Sequence, residues 1–190
     1  ADLHDNVGSG LTEISILSEL ASQKIKDVSP DSSNSLNVIS EKARQLIDGM
    51  SDIVWMVNPH RDSLSHVILR LKDTYSDLLY SSGIAFKTSH LEKLSSLKLP
   101  MEYKQNLFLI FKEAINNAIK HSNCKKISLE ASLNKDTLEL LLKDDGSGIS
   151  TEKKAEGNGI VNMKARASAI GSDLFINSSS EGTLIKFVGK

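Results

Sequence analysis

Apolar residues recur at steps of three and four from Leu3 to Val28 (Leu3, Val7, Leu11, Ile14, Leu17, Ala21, Ile25, Val28). The same spacing returns from Leu36 to Val57 (Leu36, Ile39, Ala43, Leu46, Met50, Ile53, Val57). This is the period of amphipathic helices, not of strands. Between them, Ser29-Pro30-Asp31-Ser32-Ser33 reads as a turn, with Pro30 ending one helix and the small polar residues capping the next. Asn58-Pro59 stops the second helix. Two helices of roughly 25 residues joined by a short turn form an antiparallel hairpin. A lone hairpin buries only one side of each helix. Two copies packed into a four-helix bundle would close the core, so a homodimer is expected; packing onto the rest of the same chain is the alternative.

Beyond Asn58 the period changes. A further helix is predicted over Ser63 to Leu79, ended by Ser81-Ser82-Gly83. Strand alternation appears at Ile84 to Lys87 and Lys126 to Ala131, and Thr137 to Leu142 suits a largely buried strand. Asn134-Lys135-Asp136 is the hairpin turn between the last two. Tyr103 to Lys120 and Asn158 to Ile170 read as helices, with closing strands at Asp173 to Asn177 and Thr183 to Val188. The expected class is α+β: a helical hairpin over 1–62, then an α/β sandwich over 63–190 with a linker helix at about 63–82. Aromatic residues are only 5%, so the cores must come mostly from Leu, Ile and Val.

Charge narrows the partners. Lys+Arg number 23 against 24 Asp+Glu, a net charge of −1, which removes the electrostatic case for nucleic-acid binding. No apolar run approaches the ~20 residues that span a bilayer, and no signal peptide opens the chain. A single cysteine, Cys124, fits a reducing, cytoplasmic setting.

Chemistry concentrates in 111–121. Glu113, Asn117 and His121 share one face of the predicted helix at i, i+4 and i+8, with Asn116 and Lys120 beside them. Leu107, Phe108, Phe111, Ile115 and Ala118 occupy the other side. Such a polar stripe alone also describes a solvated surface. Downstream, Asp144-Asp145-Gly146-Ser147-Gly148 follows a buried strand, and Gly157-Asn158-Gly159-Ile160 opens a helix. Glycines there let backbone N–H groups approach a ligand, and a helix N-terminus attracts phosphate. A carboxylate at a strand end can accept a hydrogen bond from an exocyclic amine such as that of adenine. Gly182-Thr183 before the last strand completes an order of elements that describes one nucleotide site.

Residues 111–121, 144–148, 157–166 and 182–183 resemble the N, G1 and G2 boxes and closing Gly-Thr of sensor histidine kinases, whose ATP-binding domain belongs with the gyrase and mismatch-repair ATPases. The resemblance implies ATP and Mg²⁺ as cofactors. It implies that Asn117 ligates the metal, with Asn116, Lys120 and His121 near the nucleotide. Asp144 would read the adenine amine, with Thr183 supporting it. Gly146, Gly148, Gly157 and Gly159 would flank a short mobile lid, and Glu113 matches an acidic position that acts on metal or water in related ATPases.

Leu3-His4-Asp5-Asn6-Val7-Gly8-Ser9-Gly10-Leu11 resembles the phosphoacceptor motif of the His-Asp class of these kinases, and Asp52 to Pro59 resembles the end of its second helix. His4 is then the expected nucleophile: neutral imidazole attacks phosphorus well near pH 7, and Asp5 can hold its tautomer or take its proton. Residues 1–62 become a dimerisation and phosphotransfer segment, 63–190 the catalytic segment, and a response-regulator receiver domain the partner. A serine kinase or ATPase of the same superfamily, or a dimeric nucleotide-binding module without turnover, are the alternatives. Many members carry Gln five residues after the His, where this chain has Ser9, and phosphatase activity is accordingly expected to be weak. The motif starts three residues in, so a longer sensor is expected, possible membrane attachment included.

Overall fold

A computed structural model describes residues 2–89, 94, 97–149 and 158–189, with side chains from residue 6 onward. The chain divides into two compact units, Ala1–Asn58 and Pro59–Lys190.

The first unit is two helices, α1 (Asp2–Ile25) and α2 (Pro30–Val57). The proline at the turn acts differently from its sequence reading. Helix α1 has already ended at Ile25, whose carbonyl accepts from the N–H groups of Val28 and Ser29. Pro30 instead opens α2, with Ser29 as its N-cap. At a first helical position the missing N–H would have been unpaired anyway, and the ring supplies a helical φ.

Ala43 apart, the buried residues at the contact between the two helices are not those of the apolar stripe. Among the described residues of α1 the buried ones are Ser15, Ser18 and Ser22, and the hairpin sets them against Ser33, Ser40 and Ala43 of α2. Ser15 Oγ lies 3.0 Å from Ser40 Oγ, and Ser22 Oγ lies 2.8 Å from Ser33 Oγ. Ser22 Oγ is also 3.0 Å from the Ser33 carbonyl and Ser33 Oγ 3.2 Å from the Ser22 carbonyl; with one proton each, one hydroxyl donates to the other, which donates to the carbonyl across the seam. Arg44 Nε donates to Ser15 Oγ at 3.2 Å, and its Nη2 pairs with Glu19. Small side chains let the backbones approach, and the hydroxyls of Ser15, Ser22, Ser33 and Ser40 are hydrogen-bonded across the seam. The stripe that the sequence marks as core points outward: Val7, Ile14 and Leu17 on α1 are 42%, 47% and 57% exposed, and Ile39, Leu46 and Ile53 on α2 are exposed as well.

The second unit begins with α3 (Leu64–Ser81), whose N-cap Ser63 accepts from the His66 N–H. Its entry is tied to a neighbouring strap: Leu99 N donates to the Asp62 carbonyl at 2.7 Å, and Leu64 N to the Leu97 carbonyl at 2.9 Å. Asp62 also pairs with Lys98 at 3.0 Å, which holds its carboxyl below the usual range.

Strands β1 (Ala85–Ser89), β2 (Lys126–Asn134), β3 (Thr137–Asp144), β4 (Asp173–Ser179) and β5 (Gly182–Gly189) form one sheet in the order β1-β2-β3-β5-β4. Only β1 and β2 are parallel, because α4 (Met101–His121) makes the crossover between them. Helix α5 (Gly159–Ala169) precedes β4. Alternate residues of the strands (Ile127, Leu129 and Ala131; Leu138, Leu140 and Leu142; Ile185 and Phe187) are buried together with Leu107, Phe108, Phe111 and Ile115 of α4. Phe187 meets Tyr103 and Phe111 edge-on, with ring centroids 5.9 and 6.5 Å apart. The other sheet face is partly open and carries the Lys186–Glu139 pair at 2.9 Å.

The seam makes a quantitative expectation. Ser22→Ala and Ser33→Ala should each destabilise the helical unit by about 1 kcal/mol, and the double variant by clearly less than the sum, because the two hydroxyls share a bond. A double-mutant cycle in urea unfolding measures this; strict additivity would mean that the Oγ–Oγ contact contributes nothing.

Candidate functional site

Helix α4 is seated by its apolar side, which leaves the stripe Glu113, Asn117 and His121 facing a cavity of about 710 Å³. Asp144, Ser147, Gly148, Gly159 and Thr183 join the same wall. The structure thus brings together seven of the residues singled out from the sequence. Asn116 lines a separate, smaller cavity. Lys120 is exposed and in neither wall. Gly146 is not in the wall of the larger cavity either: it packs under the C-cap of α4, where a Cβ would come within 2.3 Å of the Ser122 carbonyl. Gly157, and the side chains of His4 and Asp5, lie outside the described residues.

The two aspartates that end β3 do different work. Asp144 is buried, and its Oδ1 accepts from the Gly146 N–H at 2.9 Å, which fixes the carboxylate at the cavity floor. Asp145 turns away and accepts from the N–H groups of Lys126 and Lys125, both at 2.8 Å. Those two donors hold its carboxyl below the usual range and pin the start of β2.

The glycines serve close approach of protein to protein. Gly182 has φ +124°, and a Cβ there would lie 2.0 Å from the Asp144 carbonyl. A side chain would therefore push β5 off the strand that carries Asp144. At Gly159 a Cβ would meet Glu113 Oε1 at 2.2 Å, so α5 starts directly against that carboxylate. The expectation that these glycines expose backbone to a ligand misses this role, because sequence spacing does not show which segments touch.

Several wall residues have no role assigned from the sequence. Ile160, Met163, Ile176 and Ile185 give the cavity an apolar side suited to a flat ring, and in sequence they look like any core residue. Among the described wall residues the charged groups are Glu113 and Asp144, with no Lys or Arg. A polyphosphate there needs a cation. The residues present fit Mg²⁺: Asn117 Nδ2 donates to Glu113 Oε1 at 3.2 Å, which leaves the amide oxygen as a hard donor. No cluster of three or more His, Cys, Asp or Glu able to hold a metal occurs among the described residues. Burial raises the thiol of Cys124, just beyond this wall, above its ordinary value.

Comparison with known proteins gives the family. Residues 1–62 match the family described as "Histidine kinase", and residues 102–188 match "Histidine kinase-, DNA gyrase B-, and HSP90-like ATPase". The signal transduction histidine-protein kinase/phosphatase UhpB of Salmonella typhimurium is 25% identical over 186 residues, covering 97% of this chain and 36% of that protein. The sensor protein VraS of Staphylococcus aureus (strain COL) is 27% identical over 187 residues, covering 97% of this chain and 52% of that protein. The chain thus spans about a third to a half of these relatives' own length. Among solved structures, full-length ShkA in complex with AMPPNP is similar at TM-score 0.62 and 13% identity, over 100% of this chain and 44% of that one. The histidine kinase AdeS of Acinetobacter baumannii is similar at TM-score 0.61 and 16% identity, over 93% and 94%. These likenesses establish the fold alone. No helix among the described residues is long and apolar enough to cross a membrane. Matched in its helical unit and again in its sheet unit, the chain belongs to the sensor histidine kinases.

Proposed function

We propose that the chain is the catalytic core of a sensor kinase that moves the terminal phosphoryl group of ATP to His4, and from there to an aspartate of a response-regulator receiver domain. The observation that carries this reading is the large cavity, where a buried carboxylate, an apolar wall and the Glu113–Asn117 pair converge. Asp144 accepts from the adenine amine, with Thr183 beside it in the wall. Asn117 and Glu113 face the phosphates, and His121 and Asn116 flank them. Lys120 approaches from the exposed end of α4; Gly148 and Gly159 bring their backbone to the nucleotide wall, and Gly146 and Gly157 belong to the same glycine pairs in the sequence. Mg²⁺, when bound, supplies charge neutralisation at the phosphate oxygens.

In the transfer, a neutral imidazole nitrogen of His4 forms the N–P bond, the bond from phosphorus to the bridging oxygen breaks, and ADP leaves. Asp5 holds the tautomer and receives the proton from the other ring nitrogen. We assign 1–62 to dimerisation and phosphotransfer and 63–190 to nucleotide binding, with cytoplasm as the compartment that supplies ATP. The homodimer follows from the outward apolar stripes of α1 and α2, which a second hairpin would cover.

Incubation with labelled ATP and Mg²⁺ should give an acid-labile, base-stable phosphate that His4→Gln abolishes; label persisting in His4→Gln would remove the assignment. Asp144→Asn replaces an acceptor by a mixed amide opposite a donor. Losing one charged hydrogen bond is worth about 1.5–3 kcal/mol, so calorimetry should show affinity for ATP falling roughly ten- to hundred-fold. Equal affinities would contradict the adenine-reading role.

Ser9 bears on the reverse reaction. Its Oγ donates to the Asn6 carbonyl at 3.0 Å, so the hydroxyl is engaged on its own helix and does not reach outward as a long amide would. The protein is therefore expected to act mainly as a kinase. Ser9→Gln should speed the decay of purified phospho-regulator without lowering autophosphorylation, and rapid decay with the parent that Ser9→Ala leaves unchanged would refute this.

A further inference from the structure

The smaller cavity, about 330 Å³, lies between α4 and α5 and shares Glu113, Gly159 and Met163 with the larger one. Its polar groups are of another kind: Lys112 and Asn116 from α4, Asn162 and Arg166 from α5. Lys112 and Asn116 are four apart on α4, as are Asn162 and Arg166 on α5, so two stripes face one groove. Tyr75 closes the base, its hydroxyl donating to the Lys112 carbonyl at 2.8 Å. Lys112 Nζ is 5.9 Å from the Phe108 ring centroid, so its stem runs along α4. The Arg166 guanidinium forms no ion pair among the described residues.

We infer that this cavity is a phosphoryl-anion subsite, in which Arg166 and Lys112 hold the terminal phosphoryl group of a nucleotide bound next door. The inference rests on the nucleotide reading above and deepens it. Charge is the first argument. The described wall of the larger cavity holds two carboxylates and no Lys or Arg, whereas the smaller one sets two cations against the single carboxylate of Glu113. Across the Glu113–Gly159 partition a polyphosphate would meet the two cations of the smaller cavity. Size is the second. At less than half the volume of its neighbour, the smaller cavity has room for a phosphoryl group together with its bound water. Chemistry is the third: a guanidinium offers a planar fork to a phosphoryl group, and the amides of Asn116 and Asn162 add donors. Arg166 closes the matched segment 157–166 without a role of its own in the sequence reading; the packing of α5 on α4 brings it into one cavity with Lys112.

The same chemistry would also take free phosphate, and calorimetry on the full chain with Mg²⁺ separates the two sources. Titrations use ATP, ADP and inorganic phosphate against the parent, Arg166→Gln, Arg166→Lys and Asn162→Ala. Arg166→Gln should weaken ATP about ten-fold or more and leave ADP within about two-fold, since ADP lacks the terminal group. Arg166→Lys should recover part of the loss, and Asn162→Ala should lose less. An unchanged ATP-to-ADP ratio, with inorganic phosphate bound by the parent and not by Arg166→Gln, would assign the subsite to free phosphate. An unchanged ratio with no Arg166-dependent phosphate binding would overturn the subsite while the nucleotide reading stands. A parent that binds phosphate through Arg166 but neither nucleotide would overturn the nucleotide reading and keep the subsite.

Discussion

Phe187 on β5 stands edge-on to both Tyr103 and Phe111, and this aromatic contact sets where α4 lies over the sheet. Every polar group of the candidate site on that helix depends on it. With Leu107, Phe108, Phe111 and Ile115 buried, Glu113, Asn117 and His121 have one direction left to face. The same strand brings Gly182 under the Asp144 carbonyl, so the element that seats the helix also fixes the carboxylate at the cavity floor. Packing and site therefore share one support, and a change in the Phe187 layer would move both walls of the cavity.

The helical unit distributes its side chains in an unusual order. Serines, not leucines, lie between α1 and α2, while Val7, Ile14 and Leu17 face outward. Hydroxyl pairs satisfy their own hydrogen bonds but remove little apolar surface from water, so each contributes about 1 kcal/mol where a buried Leu or Ile contributes roughly 1.5–3 kcal/mol. A hairpin closed by such a seam holds its register through short, directional bonds. Its larger hydrophobic term is available only when the outer stripe is covered.

Neighbouring residues of like type separate by local backbone. Asp144 and Asp145 are adjacent carboxylates, yet one is buried facing a cavity and the other caps the first N–H groups of β2. Alternation along an extended chain sends them to opposite sides. Likewise Asn116 and Asn117 enter different cavities because one helical step is 100° of rotation.

Much of this architecture was legible in the sequence. The change from helical to strand period after Asn58, the Lys135-Asp136 turn between β2 and β3, and the i, i+4, i+8 stripe on α4 are local patterns, and local sterics and hydrogen bonding decide them. Seven site residues followed from that stripe, from the ends of two strands and from the glycines Gly148 and Gly159. Other features needed distant segments to meet. Which stripe of α1 would face α2 was not readable, because serine and leucine stripes interleave on one helix and only the partner surface selects between them. The close approaches at Gly159 and Gly182, the apolar wall of Ile160, Met163, Ile176 and Ile185, and the pairing of Lys112 with Arg166 across a groove were decided by tertiary packing. By itself the sequence determined the elements, their order and the polar face of α4, since each depends on neighbours a few residues away. The tertiary structure decided which faces meet and what lines each cavity, since those depend on residues up to a hundred positions apart competing for the same buried surface.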